Sequence, residues 1–139
     1  MKITKTQIEA VYEVAVRIFA DLVKLESGVK LLQEQYQWNP TSARYYLSAH
    51  SLMMTGELFQ KTISASATDY FLSRIAKDQG PLALETAVRA VRKHIKYYES
   101  VRPVTLRSLI AWLQQSMSFQ FQRLSLLLKR RTHSAHRSN

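Results

Sequence analysis

The stretch that decides the fold is SGVKLLQEQYQWNPTSARYYLSAHSLMMTGELFQKTISA, residues 27–65. It predicts a short helix, a tight turn at Trp38-Asn39-Pro40, a second helix over 41–54 and a polar loop. The turn is expected because the residue before a proline is disfavoured in the helical region. Asn39 also suits a helix N-cap, with Pro40 in the first turn. This order is the outline of a helix-turn-helix unit, whose second helix can enter a DNA groove.

The flanking segments predict further helices. Apolar residues recur at helical spacing over 6–24, 67–79 and 81–100. Thr6 and Glu9 fit a capping box at the start of the first of these helices. Another helix is predicted over 105–128, followed by a basic, disordered tail over 129–139. The expected fold class is therefore all-α, a compact bundle of five to six helices with a helix-turn-helix-like unit and a long C-terminal helix, in one domain over 1–128.

The amino-acid composition argues against other fold classes and against secreted or membrane proteins. The 139 residues are 46% hydrophobic, enough for a core, and contain only three Gly and three Pro, which favours a few long helices over a β-barrel or sandwich. Cysteine is absent, which excludes a disulfide scaffold and thiol chemistry. The N-terminus lacks the apolar region of a signal peptide, and no run approaches the ~20 apolar residues of a membrane span. A cytoplasmic protein without a membrane partner is expected.

The net charge of +10 is distributed unevenly. Residues 1–88 hold nine Lys/Arg and nine Asp/Glu, whereas residues 89–139 hold eleven Lys/Arg and one acid, Glu99. Such asymmetry indicates a polyanion partner or a solubilising tail. Within 81–100 a basic stripe falls at i, i+3, i+4 and i+7: Arg89, Arg92, Lys93 and Lys96. The alternative is an ordinary solvated face, but four like charges repel one another, so a phosphate-facing role is favoured.

The helix over 41–54 begins with a polar face: Thr41, Ser42, Arg44 and Tyr45, with Ser48 one turn later. Arginine can bond guanine bidentately, hydroxyls can reach bases or phosphates, and a helix N-terminus attracts a phosphate. The alternative is a capped helix whose polar residues face water. In the following loop, Lys61 and Thr62 stand between two apolar anchors and could clamp a phosphate or simply connect two helices.

Signals of catalysis are missing. The sequence has no Gly-rich phosphate loop, no paired histidines at zinc-protease spacing and no cysteine. His133 and His136 in the tail would make a poor metal site. No enzyme activity, cofactor or metal is expected.

Three motifs together resemble a bacterial domain found at the front of HNH-type restriction endonucleases. They are NPTSARYYL at 39–47, GELFQKTISASATDYFL at 56–72 and RKHIKYYES at 92–100. The resemblance covers about residues 8–110 and implies a target-binding role in telling self from foreign DNA, with Arg44 and Lys61 as the positions carried over. The last ~30 residues depart from the pattern where a nuclease is expected. Cleavage by this chain is therefore not expected, which leaves a stand-alone binder, a fragment, or a subunit whose nuclease is a separate chain.

Two functions remain open from the sequence. The first is a DNA-binding helical module of a bacterial restriction or defence system, binding double-stranded DNA. This hypothesis needs the basic helix over 81–100 to fold back beside the helix over 41–54, because the two carry different parts of the interface. The second is a non-enzymatic protein–protein module, such as a dimerising adaptor, an antitoxin or a phage-type inhibitor. It would use the helix over 105–128 either to form a homodimer or to dock an acidic partner.

Overall fold

The computed structural model describes residues 2–101, which form five α-helices and no strand. In chain order these are α1 Lys5–Phe19, α2 Leu25–Tyr36, α3 Pro40–Thr55, α4 Ala65–Gln79 and α5 Pro81–Val101. Helix α3 packs on α1, α2 and α5, and α4 packs on α5 and α1. The expected compact all-α bundle is confirmed. The predicted helix over 105–128 and tail over 129–139 lie outside the described residues.

The turn before α3 forms as its sequence predicts. Asn39 is the N-cap, and its side chain accepts a hydrogen bond from the backbone N–H of Ser42 at 3.1 Å, with Pro40 in the first turn. The helix ends at Gly56, whose left-handed φ of 72° suits glycine. A hydrogen bond from Glu57 N to the Leu52 carbonyl at 2.9 Å completes the cap. Local chemistry therefore sets both ends of α3.

The first helix begins within one residue of the predicted start, but its capping residues and its C-terminal end differ from the prediction. The capping box is formed by Thr4 and Gln7, two residues earlier than the predicted pair. The helix ends at Phe19 rather than residue 24, because Asp21 adopts a left-handed φ of 61°. Leu22 N then donates back to the Arg17 carbonyl at 2.9 Å, which closes the helix. Leu22 continues the apolar spacing of the helix but is 76% exposed.

Two further helix starts differ from the prediction. Helix α2 begins at Leu25 rather than near Ser27, and its N-cap, Lys24, provides no side-chain hydrogen bond. Helix α4 begins at Ala65, two residues earlier than expected, because the Ser64 side chain accepts a hydrogen bond from Ala67 N at 3.1 Å. Ser64 is thus the cap that the sequence pattern did not single out.

Trp38 fixes the α2–α3 turn against α1. Its indole Nε1 donates to the Gln7 carbonyl at 3.1 Å, and its ring lies 4.9 Å from the ring of Tyr46. Gln7 in turn donates its side-chain Nε2 to the carbonyl of Tyr36 at the end of α2. These contacts join three helices at one point, so the angle between α2 and α3 is fixed by the core as well as by the turn.

The centre of the bundle holds an aromatic cluster around a buried histidine. His50 of α3 is 2% exposed, and its ring meets those of Tyr12, Phe19 and Phe71 edge-on at centroid distances of 5.4, 6.3 and 5.9 Å. Neither ring nitrogen has a hydrogen-bond partner among the described residues. Burial lowers the pKa of His50 from 6.5 to about 4, so the ring is neutral at pH 7.

Candidate nucleic-acid interface

The outward face of α5, defined here as the basic face, carries four exposed cations: Arg89, Arg92, Lys93 and Lys96. The opposite face is buried through Leu84, Ala87, Val88, Ala90, Val91, His94 and Ile95. Because these buried residues fix the rotation of the helix, the four cations all face solvent. Within residues 2–101, neither Arg89 nor Lys96 forms a side-chain ion pair. Both cations are therefore available to an external anion.

The C-terminal end of α3 lies against the basic face. The carbonyl of Gly56 accepts a hydrogen bond from Lys93 Nζ at 2.9 Å. A Cβ on Gly56 would lie 3.1 Å from Thr86 Cγ2 and 3.6 Å from Arg89 Nη1. A lysine at this position satisfies a free carbonyl and complements the negative end of the helix dipole. Lys93 therefore has a structural role in addition to any role in binding. Lys96 has no such structural contact within residues 2–101.

The loop over 57–64 is held to both α3 and α5. Phe59 and Ile63 are buried, as the sequence predicts for its two anchors. The Phe59 ring stacks on the His94 ring with a centroid distance of 4.2 Å, and its carbonyl lies 2.6 Å from His94 Nδ1. Since a carbonyl can only accept, His94 Nδ1 carries the proton. At the other end of the loop, Ser64 N donates to the Tyr46 hydroxyl at 2.9 Å.

His94 holds the loop to α5 as a buried residue. It is 4% exposed, and its ring also lies 4.8 Å from the Tyr98 ring. Burial lowers the pKa of His94, although the hydrogen bond to the Phe59 carbonyl acts in the opposite direction. His94 supports the loop from beneath while its sequence neighbours Lys93 and Lys96 face solvent, so it contributes to the geometry of the interface without facing a ligand.

Lys61 and Thr62 behave differently in this loop. Lys61 is exposed, and its Nζ lies 5.4 Å from the ring centroid of Tyr45, itself 38% exposed. This cation–π contact joins the loop to the outer face of α3. The Thr62 hydroxyl is buried and has no hydrogen-bond partner within residues 2–101. Thr62 can reach a phosphate only if the loop rearranges, whereas Lys61 can reach one as it stands.

The polar face of α3 is present where the sequence predicts it. Thr41, Arg44, Tyr45 and Ser48 are exposed at helical spacing, and Ser42 is half-buried. The backbone N–H of Ser42 is already used by the Asn39 cap. Pro40 has no N–H, so of the unpaired backbone donors at this helix start only those of Asn39 and Thr41 are open to a phosphate.

Arg44 is held by an ion pair with α2. Its Nε lies 3.1 Å from Glu26 Oε1, and its Nη2 lies 2.9 Å from Glu26 Oε2. The hydrogen bond from Arg44 lowers the pKa of Glu26, so the carboxylate is charged at pH 7. The side chains stay 44% and 69% exposed, so solvent and ligands can reach both. This pair was not predicted from the sequence, because opposite charges eighteen positions apart on two helices give no local signal.

The predicted site residues form two groups. The loop and α3 bring Lys61 to Tyr45, and α5 brings Arg89 and Lys93 to the C-terminal end of α3. Arg44 lies twelve residues before Gly56, about 18 Å along the axis of α3 at 1.5 Å per residue. Helices α3 and α5 pack together, as the DNA hypothesis required. The basic face nevertheless meets the C-terminal end of α3, while the base-reading candidates are at its start.

A separate groove of about 420 Å³ lies between α1, α2 and α4, and none of the predicted site residues line it. Its walls include Glu9, Glu13 and Arg17 from α1. Arg74 of α4 crosses the groove, with Nη2 3.0 Å from Glu13 and Nη1 2.7 Å from the Tyr70 hydroxyl. Arg74 thus pairs with Glu13, and the groove is lined by two carboxylates and two guanidinium groups, so it offers a ligand no concentration of one sign.

Among residues 2–101 there is no group of three or more acidic, histidine or cysteine side chains that could hold a metal ion. None of the five helices is long and apolar enough to cross a membrane. No protein-family model, curated protein or solved structure matches the chain. The resemblance to the HNH-associated domain therefore stays a prediction.

Proposed function

We propose that this chain is a non-catalytic, double-stranded DNA-binding module that contacts the phosphate backbone through the basic face of α5. The observation that carries the proposal is the exposure of Arg89, Arg92, Lys93 and Lys96 on one face, on the opposite side from the core. From Arg89 to Lys96 this face extends about 10 Å at 1.5 Å per residue. Duplex DNA carries one negative charge per ~1.7 Å of its axis, so several phosphates fall within that length.

The exposed predicted residues of the loop and of α3 would add contacts beyond the basic face of α5. Lys61 and Tyr45 form an exposed cation–aromatic pair, suited to a phosphate and a sugar or base edge. Thr41, Ser48 and Arg44 on the exposed face of α3 are the candidates for base contacts. In this proposal, binding combines a sequence-independent part from α5 with a selective part from α3.

The biological setting belongs to the proposal as well. The motifs at 39–47, 56–72 and 92–100 favour a restriction or defence system in bacteria, in which the module locates target DNA for a separate nuclease subunit. Of the net charge of +10, residues 102–139 contribute seven Lys/Arg and no acid, so this segment would add to the attraction for a polyanion. A homodimer through 105–128 would present two basic faces to one duplex.

Salt-dependent binding of the full chain to a random-sequence duplex tests the proposal. The double variant Arg89→Ala/Lys96→Ala removes two cations without known ion pairs. If each contacts one phosphate, its plot of log affinity against log salt is shallower by about 1.8 than that of the wild type. The control is Lys30→Ala/Lys77→Ala, which removes the same charge from exposed positions of α2 and α4. Equal slopes for the two double variants would contradict an interface on α5.

A second function is favoured by one surface feature. Phe19, Leu22 and Leu25 at the α1–α2 corner are 44%, 76% and 43% exposed. Neighbouring exposed apolar side chains of this kind are typical of protein-binding surfaces. A protein–protein module would use this corner, and Leu22→Asp would then abolish association while leaving duplex binding unchanged.

A further inference from the structure

The Arg44–Glu26 ion pair occupies the Nε/Nη2 edge of the guanidinium, one of the two edges through which Arg44 could make a bidentate DNA contact. A guanidinium binds guanine or phosphate oxygens bidentately through two parallel N–H groups. In Arg44 two such donors, on Nε and Nη2, are aimed at the two oxygens of Glu26 at 3.1 and 2.9 Å. A carboxylate on α2 thus takes the place that a phosphate or a guanine edge would take.

The pair is built so that it can open. The side chains of Arg44 and Glu26 are 44% and 69% exposed, and neither forms another ion pair or side-chain hydrogen bond within residues 2–101. Exposed ion pairs contribute little to stability, because water screens them and holding two long side chains costs entropy. A multivalent polyanion such as duplex DNA can therefore displace the carboxylate from Arg44 without unfolding the bundle.

We infer that Glu26 is an intramolecular competitor for Arg44, which suppresses non-specific phosphate binding by the α2–α3 unit. This inference rests on the proposed DNA-binding function. While the pair is closed, α3 presents a neutral surface to a random duplex, and the basic face of α5 supplies the attraction. Arg44 leaves Glu26 only where its contacts with DNA are more favourable than its contacts with Glu26. A bidentate contact with a base can meet this condition.

Glu26→Gln tests the inference, because glutamine keeps the shape of the side chain and removes the charge that competes. Random-duplex affinity of the full chain is measured by fluorescence anisotropy across a salt series. If Arg44 then contacts one phosphate, the log–log salt slope of Glu26→Gln is steeper by about 0.9. Between 50 and 200 mM salt, its affinity therefore falls about 3.5-fold more than that of the wild type.

Two further variants separate competition from a general charge effect. Glu34→Gln makes the same charge change on an exposed position of α2 and leaves the ion pair intact. Glu26→Gln/Arg44→Ala removes the residue that Glu26 is inferred to hold. The inference requires that Glu34→Gln keep the wild-type slope and that the double variant lose the gain.

The outcomes distinguish this inference from the proposed function. If the wild type binds the duplex and Glu26→Gln matches Glu34→Gln, Glu26 does not compete for Arg44, although DNA binding stands. If only Glu26→Gln binds, the competition for Arg44 is supported, but the proposed function is wrong in its claim that the basic face of α5 alone attracts DNA. If neither binds at low salt, the proposed function is wrong and the inference is wrong with it.

Discussion

Acid should destabilise this bundle chiefly through protonation of His50. Its ring is 2% exposed, and both nitrogens lack hydrogen-bond partners within the described residues. Protonation would place a charge among Tyr12, Phe19 and Phe71 with no group to pair it. Burial accordingly lowers the pKa of His50 from 6.5 to about 4.

The sign and size of the effect follow from linkage. Between pH 6.5 and 4 the unfolded chain binds a proton at His50 and the folded chain resists it, so stability rises with pH in this window. The contribution is complete above pH 6.5 and is lost as pH falls towards 4. At pH 5 the loss from this residue alone is about 2 kcal/mol, and the limit at lower pH is about 3 kcal/mol.

Urea unfolding of the full chain, followed by far-UV circular dichroism at pH 7 and pH 5, measures this loss. His50→Leu is the matched variant, because leucine has a similar volume and no proton to take up. We expect its stability to change much less between the two pH values, with the residual dependence due in part to His94, whose pKa burial also lowers. An equal loss in wild type and His50→Leu would refute the reasoning.

Three further substitutions test the backbone account by the same unfolding assay. Asp21→Gly should raise the free energy of unfolding by about 0.5–1 kcal/mol, since the φ of 61° suits glycine better than aspartate. A lower free energy of unfolding would contradict the cap described for α1. Asn39→Ala should cost about 1 kcal/mol by removing the acceptor for Ser42 N, whereas Asn39→Asp should cost little. Gly56→Ala should cost more than about 1 kcal/mol, because φ is 72° and a Cβ would lie 3.1 Å from Thr86; a neutral result would contradict the contact.

The parts of the fold that were predictable from sequence have local causes. Asn39-Pro40 starts α3, Gly56 ends it, and Gly80-Pro81 separates α4 from α5, in each case through conformational preferences of the residues themselves. The end of α1 was not predictable in this way. Leu22 continues the apolar spacing, but Asp21 adopts a left-handed conformation for which aspartate is only a weak signal.

The candidate site also has a part that could be predicted from the sequence and a part that could not. The basic face could be read directly, since four cations at helical spacing lie opposite an apolar stripe on the same helix. The contacts that position the site could not, because Arg44–Glu26, Lys93–Gly56 and His94–Phe59 join residues far apart in sequence. Such contacts form only when the helices pack together, so they cannot be predicted from a single sequence.

The claim that α5 faces DNA is tested most directly by nuclear magnetic resonance of the isotope-labelled full chain, titrated with a random-sequence duplex at low salt. We expect chemical-shift changes concentrated at Arg89, Lys96 and Lys61 that reverse when salt is added. Shifts confined to the α1–α2 corner around Leu22, or none at any duplex concentration, would contradict it.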